Sequence, residues 1–205
     1  MLVPMRAILD AADKNGYAQG AFNVNAVCQV KAAVDVHQIL RSPAIIQGAD
    51  LANGFMGGRT DFANSTLEDK KAGAKNIGAA VKKYAADSDI PVALHLDHGK
   101  NFDSCIAAIE GGYTSVMIDG SSLPFDENVE LTREVVKYAH ERGVTVEGEL
   151  GVLAGVEDHV FAATSTYTNP LSAIDFFKKT GVDALAVSIG TTHGQYKLSL
   201  IHISE

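Results

Sequence analysis

Short apolar runs alternate with longer amphipathic segments along the chain, and this alternation constrains the fold more than any other feature. The runs are rich in Val, Ile and Ala without strict polar alternation, which is typical of strands that are buried on both faces. Six runs are predicted to be strands: 21–24, 43–47, 91–96, 114–119, 144–149 and 184–189. A helix before the first strand and helices between the strands indicate a parallel α/β fold.

Capping residues mark where the predicted helices begin. Ser65 and Glu68 are spaced as a capping box before a long helix. Asn169 before Pro170 is typical of an N-cap that is followed by the first helical residue. No repeat, linker or low-complexity tract interrupts the pattern, so a single domain is expected.

Polar residues collect at the carboxyl ends of the predicted strands. In a doubly wound sheet, site residues gather near the switch point, whereas every strand of a (β/α)8 barrel can contribute to one face. Five or six contributing strands favour the barrel. The residues are Asn23 and Asn25, Asp50, Asp97 and His98, Asp119, Glu147 and Glu149, and Thr191, Thr192 and His193. A full barrel has about 250 residues, so the 205 residues here predict an incomplete (β/α)8 TIM barrel with about six of eight strand–helix units.

The segment 95–99 places two imidazoles and a carboxylate where a buried strand ends in glycine. His and Asp together suit a divalent metal and a proton-transfer group, although a core histidine and a turn aspartate would give the same local pattern. Because later strands end in the same chemistry, we favour a site. His95 is opposite in parity to His98 and is expected to form structural hydrogen bonds inside the barrel. His37 is expected to be solvated, and Cys28 is expected to pack in the core.

Composition and charge exclude several classes of partner. The net charge is −8 and no block of Lys or Arg is present, so no nucleic-acid partner is expected. A small anionic substrate is compatible with this net charge, because local positive charge decides its binding. Residues 1–20 are too charged for a signal peptide or a membrane span. Two cysteines are too few for a disulfide framework. These features predict a cytoplasmic location and no membrane partner.

Six sequence blocks occur in an order that matches a known family. They lie at 20–25, 95–99, 115–121, 126–129, 146–151 together with 155–158, and 189–194. On these residues the chain resembles the class II, metal-dependent fructose-bisphosphate aldolases, in register from about residue 8 to Lys197. No single block is decisive, but six in order are specific. The relatives that cleave tagatose bisphosphate share most of them, so the two sugar specificities stay open.

The resemblance implies a zinc site. His98 and His193 resemble two of the family's three histidine ligands, and the third histidine would come from a strand after residue 205. Asp119 and Glu149 resemble carboxylates that either orient the ligands or bind metal directly. A second divalent ion and a monovalent cation are further cofactors that the resemblance implies.

The resemblance also implies catalytic and substrate-binding residues. Asp97 matches the acid/base that takes the proton from the C4 hydroxyl, and Glu157 matches a second acid/base in a glycine-bearing loop. Substrate contacts are implied at Asn23, Gly194 and Lys197. Gly194 would lie beside a phosphate and a monovalent cation, while Lys197 would either meet a phosphate or be solvated.

The implied function is that of a glycolytic lyase. In the reaction that the resemblance implies, bound zinc would supply a Lewis acid for the ketone of fructose 1,6-bisphosphate and for the enediolate of dihydroxyacetone phosphate, which forms when the C3–C4 bond breaks and glyceraldehyde 3-phosphate leaves. The other aldolase chemistry uses a Schiff-base lysine, but no predicted strand from residue 114 onward carries one. The implied partners are a small phosphorylated sugar and, at full length, further copies in a homodimer or higher homo-oligomer.

Two segments depart from the family pattern. Ala49 stands where many members have a Ser or Thr that contacts phosphate. Residues 198–205 do not continue the pattern, so we divide the chain into a partial class II aldolase barrel at 1–197 and a non-native tail at 198–205. The isolated chain is therefore expected to be inactive, and a non-catalytic fragment remains an alternative to the fructose and tagatose aldolases.

Overall fold

A computed structural model describes residues 1–152, 155–157, 160–162 and 166–191. The strands are β1 Ala21–Asn23, β2 Ala44–Ala49, β3 Val92–Gly99, β4 Ser115–Ile118, β5 Thr145–Leu150, β6 Gly155–Glu157, β7 Val160–Ala162 and β8 Ala184–Val187. The helices are α1 Met5–Asn15, α2 Val27–Leu40, α3 Asp50–Met56, α4 Leu67–Ala86, α5 Phe102–Glu110, α6 Phe125–His140 and α7 Pro170–Thr180, with a short 3-10 helix at Phe62–Asn64.

The main sheet contains all six predicted strands, and all of its pairings are parallel. The strands lie in the order β1-β2-β3-β4-β5-β8, while β6 and β7 form a separate antiparallel hairpin. Helices connect successive strands of the sheet, as parallel pairing requires. Among the described residues, β1 and β8 are the two edge strands, and the strands lie side by side in chain order, as they do in part of a barrel. The predicted incomplete (β/α)8 barrel is confirmed.

The sheet is buried on two faces, which explains why its strands lack polar alternation. One face carries Ile46 and Leu94 and packs against the surrounding helices in the main core. The other face, which we call the inner face, carries Ile45 and Ala93 and is covered at its amino end by Met5 of α1. Within the described part of the chain, no helix is long and apolar enough to cross a membrane.

The capping box of α4 is shifted by one residue from the prediction. Thr66, not Ser65, is the N-cap, and its Oγ1 accepts a hydrogen bond from the backbone N–H of Asp69 at 3.2 Å. The Asp69 carboxylate accepts in return from the N–H of Thr66 at 2.9 Å. Asp69 therefore takes the part that the sequence pattern gave to Glu68. The N-cap of α7 is Asn169, followed by proline, as predicted.

Two predictions for α2 are wrong. His37 is buried rather than solvated, and its Nδ1 lies 2.7 Å from the carbonyl oxygen of Ala33. Cys28 is exposed rather than packed in the core. The buried stripe of α2 carries Val30, Val34 and His37 at helical spacing, and Cys28 lies off that stripe.

Candidate active site

The structure brings four of the predicted site residues together at one end of the sheet. Asp97 and His98 lie at the end of β3, Asp119 directly follows β4, and Glu149 lies near the end of β5. These three strands are neighbours in the sheet. Because parallel strands present their carboxyl ends at the same edge, residues that are far apart in sequence meet here.

The backbone at the end of β3 directs His98 into this group. His98 has φ +45°, an uncommon conformation for a residue with a side chain, and the pairing of β3 with β4 shifts register at the same point. Regular alternation would place His98 on the face opposite His95; the shift instead brings it to Glu149. The following residue has to be glycine, because a Cβ on Gly99 would lie 2.6 Å from the carbonyl oxygen of Met117.

His98, Asp119 and Glu149 form a cluster that fits a divalent cation. Nδ1 of His98 lies 3.1 Å from Oδ2 of Asp119 and 3.5 Å from Oε2 of Glu149. One ligand atom from each residue lies within 4.8 Å of the other two. Oε2 of Glu149 is buried and has no hydrogen-bond partner among the described residues. A buried carboxylate oxygen that lacks a donor, beside an imidazole and a second carboxylate, is a donor set of the kind that zinc binds.

The charges of this cluster are coupled. Burial alone would lower the pKa of His98, but the hydrogen bond to Asp119 and the charges of Asp97 and Glu149 outweigh it and raise the pKa to about 9. Burial, and then the charge of Asp119, raises the pKa of Glu149 to about 8. Without metal, the cluster therefore retains protons at neutral pH. A divalent cation would replace them, because ligands bind metal in their deprotonated forms.

Asp119 is held by hydrogen-bond donors on both of its oxygens. Oδ1 accepts from the backbone N–H of Ser121 at 3.1 Å and from its hydroxyl at 2.6 Å. Oδ2 lies 3.1 Å from Nδ1 of His98 and accepts from the ammonium of Lys100 at 2.9 Å. Burial opposes ionisation of Asp119, but these hydrogen bonds and the charge of Lys100 hold its pKa well below the usual range. The carboxylate is therefore ionised and fixes the orientation of the His98 ring.

Asp97 is buried beside the cluster, and a neighbouring strand holds its carboxylate. Oδ2 of Asp97 accepts a hydrogen bond from Nε2 of Gln47 on β2 at 2.9 Å. Gln47 and Lys100, which are not among the predicted site residues, contact Asp97 and Asp119, which are. Its spacing could have identified Gln47: it follows Ile45 by two residues on the same strand, so both side chains lie on the inner face.

A second buried group lies next to the cluster on the inner face. His95 is 3% exposed; its Nδ1 lies 2.8 Å from Oγ of Ser115, and its Nε2 lies 3.4 Å from Oε2 of Glu147. Burial, with the nearby charge of His98, lowers the pKa of His95 to about 3. Burial and the charge of Asp97 raise the pKa of Glu147 to about 7. The expected structural hydrogen bonding of His95 is confirmed.

The remaining predicted site residues lie elsewhere. Asn23 is exposed at the end of the edge strand β1. Glu157 lies on β6 of the hairpin rather than in the predicted loop, and its side chain falls outside the described part of the chain. His193, Gly194 and Lys197 fall outside the described residues, so their roles stay predictions.

Comparison with known proteins gives a consistent family match. The family model described as class II fructose-bisphosphate aldolase matches residues 3–204. A fructose-bisphosphate aldolase from Treponema pallidum is 48% identical over 202 residues, which cover 97% of this chain and 57% of the relative. One from Geobacillus stearothermophilus is 41% identical over 198 residues, covering 96% of this chain and 64% of the relative. The chain thus spans less than two thirds of the length of these curated relatives.

Solved structures show the same likeness in three dimensions. The YdjI aldolase of Escherichia coli K12 superposes with a TM-score of 0.76 at 31% identity, covering 97% of this chain and 64% of that protein. A putative fructose-1,6-bisphosphate aldolase from Coccidioides immitis gives a TM-score of 0.77 at 28% identity, covering 93% and 62%. Both likenesses extend over nearly all of this chain.

Proposed function

Since the chain belongs to the class II fructose-bisphosphate aldolase family, whose model matches residues 3–204, we propose that it serves the cleavage of fructose 1,6-bisphosphate to dihydroxyacetone phosphate and glyceraldehyde 3-phosphate. The observation that carries this proposal is the cluster of His98, Asp119 and Glu149, in which a buried carboxylate oxygen has no hydrogen-bond donor among the described residues. The names of the curated relatives support fructose bisphosphate rather than tagatose bisphosphate as the substrate.

His98 and Glu149 are the residues that would hold a divalent cation, which we take to be zinc. Asp119 would orient the His98 ring through the 3.1 Å contact, and His193 is the further ligand proposed from its sequence position. An ion held there supplies a Lewis acid for the ketone oxygen and for the negative charge that develops as the bond breaks. The second divalent ion and the monovalent cation belong to the same proposal.

Asp97 is the proposed acid/base for the bond that breaks. Gln47 fixes one oxygen of the Asp97 carboxylate, so its orientation is set before substrate arrives. Asp97 would take the proton of the C4 hydroxyl; the O–H electron pair then forms the aldehyde carbonyl, and the C3–C4 pair passes to the ketone fragment. Glu157 is the group proposed to return a proton to C3 of that fragment. Each step is ordinary general acid–base catalysis.

The substrate is a sugar with a phosphate at each end, and Asn23, Gly194 and Lys197 are proposed to contact it. Ala49 lies opposite Asp97 in the pairing of β2 with β3, and it offers no side-chain hydroxyl to a phosphate. We therefore propose that phosphate contacts come from the other residues. A homo-oligomeric assembly and a cytoplasmic location remain parts of the proposal.

Because the isolated chain is expected to be inactive, two assays on zinc-loaded protein that is completed with the C-terminal part of a family member test the reaction. The first follows fructose 1,6-bisphosphate cleavage through NADH oxidation coupled to the triose phosphates, with tagatose 1,6-bisphosphate as the competing substrate. The second follows exchange of the C3 proton of dihydroxyacetone phosphate in D2O by NMR, which needs only the ketone half of the site. We expect a chelator to abolish both activities and zinc to restore them. Activity that survives chelation, or product trapped on a lysine by borohydride, would contradict the proposal.

A further inference from the structure

Lys100 brings a positive charge to the metal cluster. It follows β3 directly, and its Nζ lies 2.9 Å from Oδ2 of Asp119. The Lys100 side chain is 36% exposed, whereas that of Asp119 is 5% exposed. The ammonium thus reaches a buried carboxylate from the solvent side, and its flexible four-carbon stem can withdraw without unfolding the site.

Lys100 binds the oxygen of Asp119 that lies next to His98, the candidate metal ligand. Oδ1 of Asp119 already accepts two hydrogen bonds from Ser121. Oδ2 is the oxygen nearest to Nδ1 of His98, and it also accepts from Lys100. Both oxygens are therefore engaged, and the oxygen next to the candidate metal ligand is the one that carries the ammonium.

We propose that Lys100 is an internal counter-cation that competes with a divalent metal for the cluster of His98, Asp119 and Glu149. The inference rests on the proposed function, in which a divalent cation binds at His98. An ammonium at hydrogen-bond distance from Asp119 neutralises part of the negative charge that attracts the metal. It also repels a doubly charged ion at close range, where the local dielectric is low. Lys100 therefore weakens metal binding as long as its ammonium holds Asp119.

If Lys100 competes with the metal, its charge should stabilise the zinc-free protein and destabilise the zinc-bound protein. Without metal, Lys100 stabilises the fold, because it partners a buried carboxylate that would otherwise lose one of its donors. With metal, the same charge is unfavourable. A residue with a purely structural role would weaken both states when it is replaced.

The test compares Lys100→Met, Lys100→Arg and the control Lys82→Met, which removes the same charge from an exposed position on α4. Zinc affinity is measured by competition with a chromophoric chelator, and the melting temperature is measured with and without zinc. Lys100→Met should bind zinc about tenfold more tightly or better, yet melt at a lower temperature without zinc. Lys100→Arg and Lys82→Met should keep the original affinity.

An unchanged or weaker zinc affinity in Lys100→Met would overturn the competition. So would a fall in melting temperature that is equal with and without zinc. If the unsubstituted protein binds zinc and only the Lys100→Met effect is missing, the inference fails while the proposed function stands. If neither protein binds zinc, the metal site fails and the competition fails with it.

Discussion

Nδ1 of His98 and Oδ2 of Asp119 lie 3.1 Å apart, although 21 residues separate them in the sequence. Asp119 is ionised, so it can only accept, and Nδ1 of His98 has to carry the proton that it donates. Once a metal displaces the second ring proton, this would leave the lone pair on Nε2, the arrangement found when a carboxylate supports a metal-binding histidine. His98 lies on β3 and Asp119 directly follows the adjacent parallel strand β4, so the pairing of the two strands brings these residues together.

Asp119→Asn should lower zinc affinity by roughly 10–100-fold, the usual cost of losing a carboxylate that orients a ligating histidine. The amide is a weaker acceptor for the His98 ring and carries no charge. Chelator competition measures the affinity, and Asp87→Asn, at an exposed position after α4, is the matched control. An unchanged affinity in Asp119→Asn would show that the 3.1 Å contact does not support metal binding.

In protein completed with the C-terminal part of a family member, Asp97→Asn should keep zinc and the fold but lose about 10²–10⁴ in cleavage rate, the range for a missing general acid/base. The amide preserves the shape and can still accept the hydrogen bond from Gln47. Zinc content by mass spectrometry separates this effect from metal loss, with Asp87→Asn again as the control. A near-normal rate at normal zinc content would make Asp97 a structural residue.

Thr66→Ala should lower the free energy of unfolding by about 0.5–2 kcal/mol, because it removes the N-cap of α4. Ser65→Ala should cost less, since Ser65 is not the cap. Urea unfolding of the two variants decides between the observed cap and the one that the sequence pattern predicted. An equal loss of unfolding free energy in the two variants, or a larger loss in Ser65→Ala, would contradict the assignment of Thr66 as the N-cap.

The sheet could be predicted from sequence because strands that are buried on both faces consist of continuous apolar runs. Each of the six apolar runs became a strand, with boundaries moved by only a few residues. The sequence pattern does not distinguish two candidate caps for α4, because Ser65 and Thr66 are both good N-caps and both have an acidic residue three positions later. Only the hydrogen bonds with Asp69 distinguish them.

The candidate site could be predicted in its residue types but not in its geometry. Alternation along β3 would separate His98 from His95, and no sequence pattern encodes the register shift that brings His98 to Glu149. Gln47 and Lys100 were missed for a related reason. Amides and lysines are common at strand ends, and their contacts with Asp97 and Asp119 exist only once neighbouring strands pair.

His95→Asn should make the metal-free fold less sensitive to acid. Burial lowers the pKa of His95 to about 3, whereas the pKa of histidine in an unfolded chain is about 6.5. Between these two pH values, His95 is therefore protonated in the unfolded state and neutral in the folded state. The stability from neutral His95 is fully present above pH 6.5 and is lost as pH falls toward 3. Between pH 6.5 and 5 the loss amounts to about 2 kcal/mol.

Glu147 titrates in the opposite sense, because burial raises its pKa to about 7, so the unsubstituted protein alone would hide the effect of His95. The comparison is therefore made between two proteins that both retain Glu147. Asn can keep a hydrogen bond to Oγ of Ser115, which lies 2.8 Å from Nδ1 of His95, but it does not take up a proton. Urea unfolding in chelator at pH 7.5 and pH 5 should show a loss on acidification that is about 2 kcal/mol smaller in His95→Asn. Equal losses would mean that His95 accepts its proton inside the fold, and that its buried contacts with Ser115 and Glu147 do not hold it neutral.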